Sequence, residues 1–290
     1  MLQPIWGDFG SLREATAAIA ASGKSRQWRR AVGVLEEVRW SAGLKLDAPA
    51  CNAAASACGR GRRWAESLEL ASALRRQGLE PDGWTLAAAL SACEKGQRWK
   101  LAAGSLADAL ERALRPHAIA LNSLVSACEK GGQWSIALEI VGDARHSFSA
   151  PDLVMHNAAV SACEKAGEWQ QATSLMMGMQ ETNIAPDSVT TNAVISACRR
   201  DGQWIQALQQ FHMAASAGVQ PDGITFNAAI SACEPEQQWE TVAALMRSME
   251  PRALDPDLVT YSAAVSALEK ACFWALSSHL LSQMRPRGCE

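Results

Sequence analysis

Apolar residues along this chain fall into a short pattern that returns again and again. It is clearest between Asp187 and Asp222. Asp187 follows a proline and reads as a helix N-cap. The residues Asn192, Ala193, Val194, Ile195 and Ala197 then predict a first helix running to about Arg200. Asp201-Gly202 ends it, as expected at a helix C-terminus. A second helix begins near Gln203-Trp204. Its apolar residues Trp204, Ala207, Leu208 and Phe211 are spaced i, i+3, i+4 and i+7, one face of a helix. Gly218 closes it and Pro221-Asp222 opens the next copy.

The copies are regular. A Ser-Ala-Cys triplet starts at Ser56, Ser91, Ser126, Ser161, Ser196 and Ser231, and Ser266-Ala-Leu continues the series, each step being 35 residues. A tryptophan follows each triplet by eight positions: Trp64, Trp99, Trp134, Trp169, Trp204, Trp239 and Trp274. Trp28 precedes Trp64 by 36, so one residue is inserted there. A fixed period in this range means a stacked array whose units bury their apolar faces against neighbours. The expected fold is all-α, a right-handed superhelical solenoid of about eight helix-turn-helix repeats. Counting from the residue after the closing Asp, the repeats are 12–47, 48–82, 83–117, 118–152, 153–187, 188–222, 223–257 and 258–290, with 1–11 a remnant or cap. Ragged ends are expected of a fragment of a longer array.

Composition narrows the chemistry. The net charge is −3, so no global basic field points to nucleic acid, and any such partner needs a local positive stripe. Six of nine Cys share one repeat position (Cys58, Cys93, Cys128, Cys163, Cys198, Cys233). Equivalent atoms in adjacent repeats should lie one helix spacing apart, roughly 8–10 Å, too far for a shared metal or a disulfide. They read as small buried residues. The Trp series, on the apolar face of the second helix, reads as core, with a loss of ~3–5 kcal/mol expected for Trp204→Ala. No run of 18 apolar residues occurs, so no membrane span is expected. The first residues resemble neither a signal peptide nor an Arg- and Ser-rich transit peptide. No nucleotide-binding loop, nucleophile elbow, His-Glu-x-x-His or deaminase signature is present. Neither catalysis nor a cofactor is expected, nor a small-molecule substrate.

A 35-residue helical hairpin with Asn near the start of its first helix and Pro-Asp at its end resembles the pentatricopeptide repeat family. The resemblance covers about residues 12–290. The Ser-Ala-Cys-Glu-Lys-Gly-x-x-Trp phrase departs from the commonest wording but keeps the frame. The family binds single-stranded RNA, one base per repeat. In it the fifth and last residues of a repeat select the base, the second packs on base faces, and a basic residue near the thirteenth meets phosphate. Carried over residue by residue, the base-reading set is Thr16 with Asp47, Asn52 with Asp82, Asn122 with Asp152, Asn157 with Asp187, Asn192 with Asp222, Asn227 with Asp257, and Ser262. Ala87 with His117 breaks the set in the third repeat. The base-packing row is Ile119, Val154, Val189, Ile224 and Val259, preceded by Pro49 and Trp84. The phosphate row is Lys24, Arg60, Lys95, Lys130, Lys165, Arg200 and Lys270, with Pro235 the exception.

Folding alone explains part of this. Asp at the end of a repeat is an ideal cap for the next helix. A cation at a helix C-terminus is favourable by itself, and an apolar residue in a first turn ordinarily packs. Asn inside a helix is mediocre for stability, so its recurrence needs a reason: an amide offered to a base edge, or a ladder tying helices together. The resemblance implies a U-rich target, 5′-G-U-N-U-U-U-U-(A or G)-3′, and a role in organellar RNA processing, stability or translation, in mitochondrion or plastid. The alternative is a protein-binding helical scaffold.

Overall fold

The computed structural model describes residues 12–25, 27–41, 47–76, 81–145, 150–234, 238–252, 254–274, 276–278 and 280. The 1–11 segment and the last residues of the final repeat lie outside them. Among the described residues fifteen α-helices and one 3-10 turn have complete bounds, further helical residues follow from Trp274, and there is no strand. The helices form two compact units, Met1–Met155 and His156–Glu290.

The first unit contains α1 (Leu12–Lys24), α2 (Trp28–Ser41), α3 (Ala48–Arg60), α4 (Trp64–Arg76), α5 (Gly83–Lys95), α6 (Trp99–Glu111), α7 (Ala118–Lys130) and α8 (Trp134–Asp143). Each odd-numbered helix packs on the even one after it, and α1, α3, α5 and α7 pack in series. The second unit begins within α9 (Leu153–Ala166). It continues through α10 (Trp169–Glu181), α11 (Ser188–Arg200), α12 (Trp204–Ser216), α13 (Gly223–Cys233), α14 (Trp239–Met249), the 3-10 turn Glu250–Arg252 and α15 (Leu258–Lys270). There α11, α13 and α15 pack in series, α12 beside α11 and α14 beside α13.

Small residues make the series possible. Ala57, Ala92, Ala127, Ala197 and Ala232 are buried, as are the six repeat cysteines. A Cβ added to Gly59 would already sit 3.4 Å from the Ala92 backbone, so these helices approach almost backbone to backbone. All eight cysteines among the described residues are free. Burial pushes the thiols of Cys58, Cys93, Cys128 and Cys198 up to about 11 and that of Cys163 to about 12. They are uncharged, inert packing groups at neutral pH.

The tryptophans differ from expectation. Trp64, Trp99, Trp169, Trp204 and Trp239 open the even-numbered helices and are half-buried, while Trp274 is 80% exposed. In the first unit the indoles of Trp28, Trp64 and Trp99 lie on the closing turns of α3, α5 and α7. A Cβ on Gly61 would fall 2.7 Å from Trp28 Cδ1, and one on Gly96 2.5 Å from Trp64 Cδ1. The guanidinium groups of Arg63 and Arg98 cover the indoles of Trp28 and Trp64 at 4.7 and 5.1 Å. These rings clamp neighbouring repeats from the edge of the stack, not from its core. The helical spacing marked the right face but not how much of each ring a neighbour would cover.

Candidate nucleic-acid interface

The closing Asp of each repeat does what its sequence position demands. Asp82, Asp187, Asp222 and Asp257 accept the backbone N–H of Thr85, Thr190, Thr225 and Thr260 at 2.7, 2.8, 2.8 and 2.9 Å. Each threonine hydroxyl in return accepts the N–H of its Asp, completing a capping box. Asp47 and Asp152 accept the N–H of Ala50 and Met155 at the starts of α3 and α9, without the returning hydroxyl.

All of these carboxylates but Asp47 also meet a fifth-position amide, thirty residues earlier in the chain. Asn52 Nδ2 donates to Asp82 at 3.1 Å and Asn122 to Asp152 at 2.9 Å. Asn157 spans both oxygens of Asp187 at 3.3 and 3.2 Å, and Asn227 both of Asp257 at 3.2 and 3.1 Å. Asn192 reaches Asp222 at 3.4 Å, the longest of the series. The capping threonines add a third member. The Thr85 hydroxyl lies 2.6 Å from Asn52 Oδ1 and 2.8 Å from Asp82 Oδ1. Thr190 and Thr260 stand likewise beside Asn157 and Asn227. With Nδ2 on a carboxylate and Oδ1 beside a hydroxyl, the amide has one orientation. Asn122, followed by Met155 where others have Thr, keeps a buried Oδ1 without a partner, as does Asn192. The threonine was missed in the sequence, although Asp-x-x-Thr before an apolar run signals a capping box.

Charge is shared within the triad. Partial burial pushes the Asp187 carboxyl up, but the Thr190 N–H, the Thr190 hydroxyl and the Asn157 amide together hold it below its ordinary value. Asp82, Asp222 and Asp257 are lowered by the same balance.

The second positions of the repeats form an apolar row left largely in solvent. Trp84, Ile119, Val154, Val189, Ile224 and Val259 are 52–66% exposed. Packing within the described residues does not account for six exposed apolar side chains at a fixed period.

The basic row ends the odd-numbered helices, and its members are all exposed. They are not equally available. Lys130 Nζ pairs with Glu94 at 2.7 Å and Lys270 with Glu234 at 2.9 Å, each Glu also accepting a serine hydroxyl of the Lys-bearing repeat. Arg60 turns back to the Ser56 hydroxyl at 3.0 Å, and Arg200 donates to the Lys165 carbonyl at 3.1 Å. Thr16 and Ser262 complete the fifth-position series, the Ser262 hydroxyl donating to its own helix at the Val259 carbonyl. Among the described residues no group of acidic, His or Cys side chains could hold a metal ion, and no helix is long and apolar enough to cross a membrane.

A family model described as a pentatricopeptide repeat domain matches residues 139–200 and 211–270, and a single-repeat model matches 189–219. A sequence search of curated proteins gives no match. Among solved structures, maize PPR10 is similar with a TM-score of 0.63 and 22% identity over 95% of this chain and 44% of that one. The same protein in complex with an 18-nucleotide psaJ RNA element gives 0.52 and 19%, over 97% and 46%. The pentatricopeptide repeat domain of Arabidopsis thaliana protein-only RNase P 1, in complex with tRNA, gives 0.55 and 13%, over 68% and 98%. The chain thus spans less than half the length of PPR10. Residues 139–270 therefore carry pentatricopeptide repeats, and the helical hairpins and the 35-residue period continue the same unit along the described chain.

Proposed function

We propose that this chain binds single-stranded RNA, one base per repeat, and acts by occupancy rather than catalysis. The observation that carries this reading is the Asn–Asp–Thr triad beside an exposed apolar row. Folding accounts for the caps, but not for six apolar side chains left in solvent at the same period. A base laid against that row would meet an amide of fixed polarity, able to offer a second N–H and a second lone pair. Two of the similar structures are complexes with RNA, which supports the same partner class here. The exposed basic row supplies phosphate contacts.

With the RNA 5′ end at the N-terminal repeat, the site reads 5′-G-U-N-U-U-U-U-(A or G)-3′. Uridine faces the Asn/Asp repeats, guanosine faces Thr16/Asp47 and a purine faces Ser262. Organellar RNA processing, stability or translation, in mitochondrion or plastid, is the setting this reading implies. Titration of U-rich against A-rich strands of equal length at fixed salt tests it, and the U-rich strand should bind at least tenfold tighter. Equal binding would sink the base-per-repeat code. Loss of both strands at physiological salt would favour a protein-binding scaffold.

A further inference from the structure

The third repeat, 83–117, departs from its neighbours in one concerted way. Where they carry Asn52 and Asn122 it has Ala87, buried and without a polar group. Where they carry Asp82 and Asp152 it has His117, which makes no side-chain cap to α7. The imidazole instead lies against Trp84, ring centroids 5.4 Å apart and planes at 48°. Gly83 makes room for it, since a Cβ there would fall 2.2 Å from His117 Nε2. Trp84 is 59% exposed and His117 is also exposed. Trp84 is moreover the aromatic member of the exposed row that continues through Ile119 and Val154. A hydrogen-bonding pair has been exchanged for two rings in contact, with a glycine shaped to the second.

We propose that Trp84 and His117 form an aromatic shelf on which one RNA base stacks, so that this repeat adds affinity without selecting the base. The proposal rests on the RNA-binding reading above. It differs from that reading in the third base, which is held rather than ignored. Every base has a π face, so stacking on an aromatic side chain tolerates any sequence. Two rings already packed together lose little freedom when a third plane is added. Hydrogen-bond readout requires a polar partner at position 87, and alanine offers none.

The test is a fluorescence-anisotropy titration of the whole chain with 5′-GUNUUUUA-3′ strands carrying each base, or an abasic nucleotide, at the third position. The four bases should bind alike and the abasic strand on the order of tenfold weaker. Trp84→Ala should weaken the four strands by that factor and leave the abasic strand unchanged, while Trp84→Phe should keep most of the affinity. Ala87→Asn with His117→Asp should create a preference for uridine at the third base. Equal binding of abasic and intact strands overturns the shelf, as does an unchanged affinity in Trp84→Ala. If those results come with intact uridine preference at the sixth base, the shelf alone is wrong. If the wild-type chain binds none of the strands, the RNA reading falls with it. Because Trp84 is exposed, an unchanged melting temperature in Trp84→Ala confirms that lost affinity is not lost fold.

Discussion

The first unit, to Met155, carries nineteen Lys and Arg against sixteen Asp and Glu; the second carries eight against fourteen. Their formal charges are therefore +3 and −6. The Asn/Asp pairs run the other way. The second unit has three consecutive Asn/Asp pairs, Asn157/Asp187, Asn192/Asp222 and Asn227/Asp257. In the first, Asn/Asp pairs alternate with Thr16/Asp47 and with the aromatic Trp84/His117. The near-neutral total conceals this division. Electrostatic grip and base readout are different physical terms, one long-ranged and salt-dependent, the other short-ranged and directional. On the proposed RNA-binding reading they are concentrated in different repeats, so each can be removed with limited damage to the other.

The largest effect should come from the pairs. Changing Asn157, Asn192 and Asn227 together to Ala should erase ~10²-fold or more of the U-rich over A-rich preference, at ~1–3 kcal/mol per lost bidentate contact. The same change at Asn52 and Asn122 should erase less. Equal losses would break the comparison. Changing Lys24, Arg60 and Lys95 to Ala should weaken all RNAs about tenfold and lower the salt slope by about 2. The matching change of Lys165, Arg200 and Lys270 should do less, because Lys270 and Arg200 are bonded to a neighbouring repeat whereas Arg60 turns back on its own helix. An identical slope for both triples would return the row to its helix-end role.

Stability sharpens the contrast further. Trp64→Ala should cost ~2 kcal/mol in chemical unfolding, below the value for a fully buried aromatic, because its ring is half-exposed. A loss above 4 kcal/mol would make it core after all. Acid should act mainly on the second unit, which holds three of the four depressed triad carboxyls. Groups lowered on folding stabilise fully above the ordinary carboxyl value of 3.8, and that stability is lost as pH falls through their own lower values. Denaturant midpoints should thus vary little from about pH 7 to 5 and fall by pH 3, less steeply in Asn157→Ala. An unaltered slope in that variant would show that the amide does not hold the carboxylate. The smallest effect is at Gln97, a left-handed residue (φ 55°) where the equivalent loops have Gly132, Gly167 and Gly202. Gln97→Gly should stabilise by ~0.5–1 kcal/mol, measured by thermal melting.

What the sequence showed and what it hid divide along one line. The helix pairs, the buried cysteines and the Asp caps were legible because each follows from a few neighbouring residues. The Asn–Asp bond, the Thr hydroxyl beside it and the Lys130–Glu94 pair join residues 30, 33 and 36 apart. Such contacts exist only once the repeats stack, and composition cannot say which of two plausible partners a side chain chooses. Asn192 looked like the residue least explained by folding, yet its amide ties α11 to the cap of α13. The valines and isoleucines of the first turn looked like packing, and they are solvent-exposed.

One carboxylate belongs to two repeats at once. Asp222 completes the pair begun by Asn192 and also starts α13. A letter at that position must therefore also be a helix cap, which admits Asp, Asn, Ser, Thr and little else. On the proposed base-reading role, drift in target preference is confined to that small alphabet unless the next helix gives up its side-chain cap. His117 marks the place where this happened, and there the polar vocabulary was abandoned altogether.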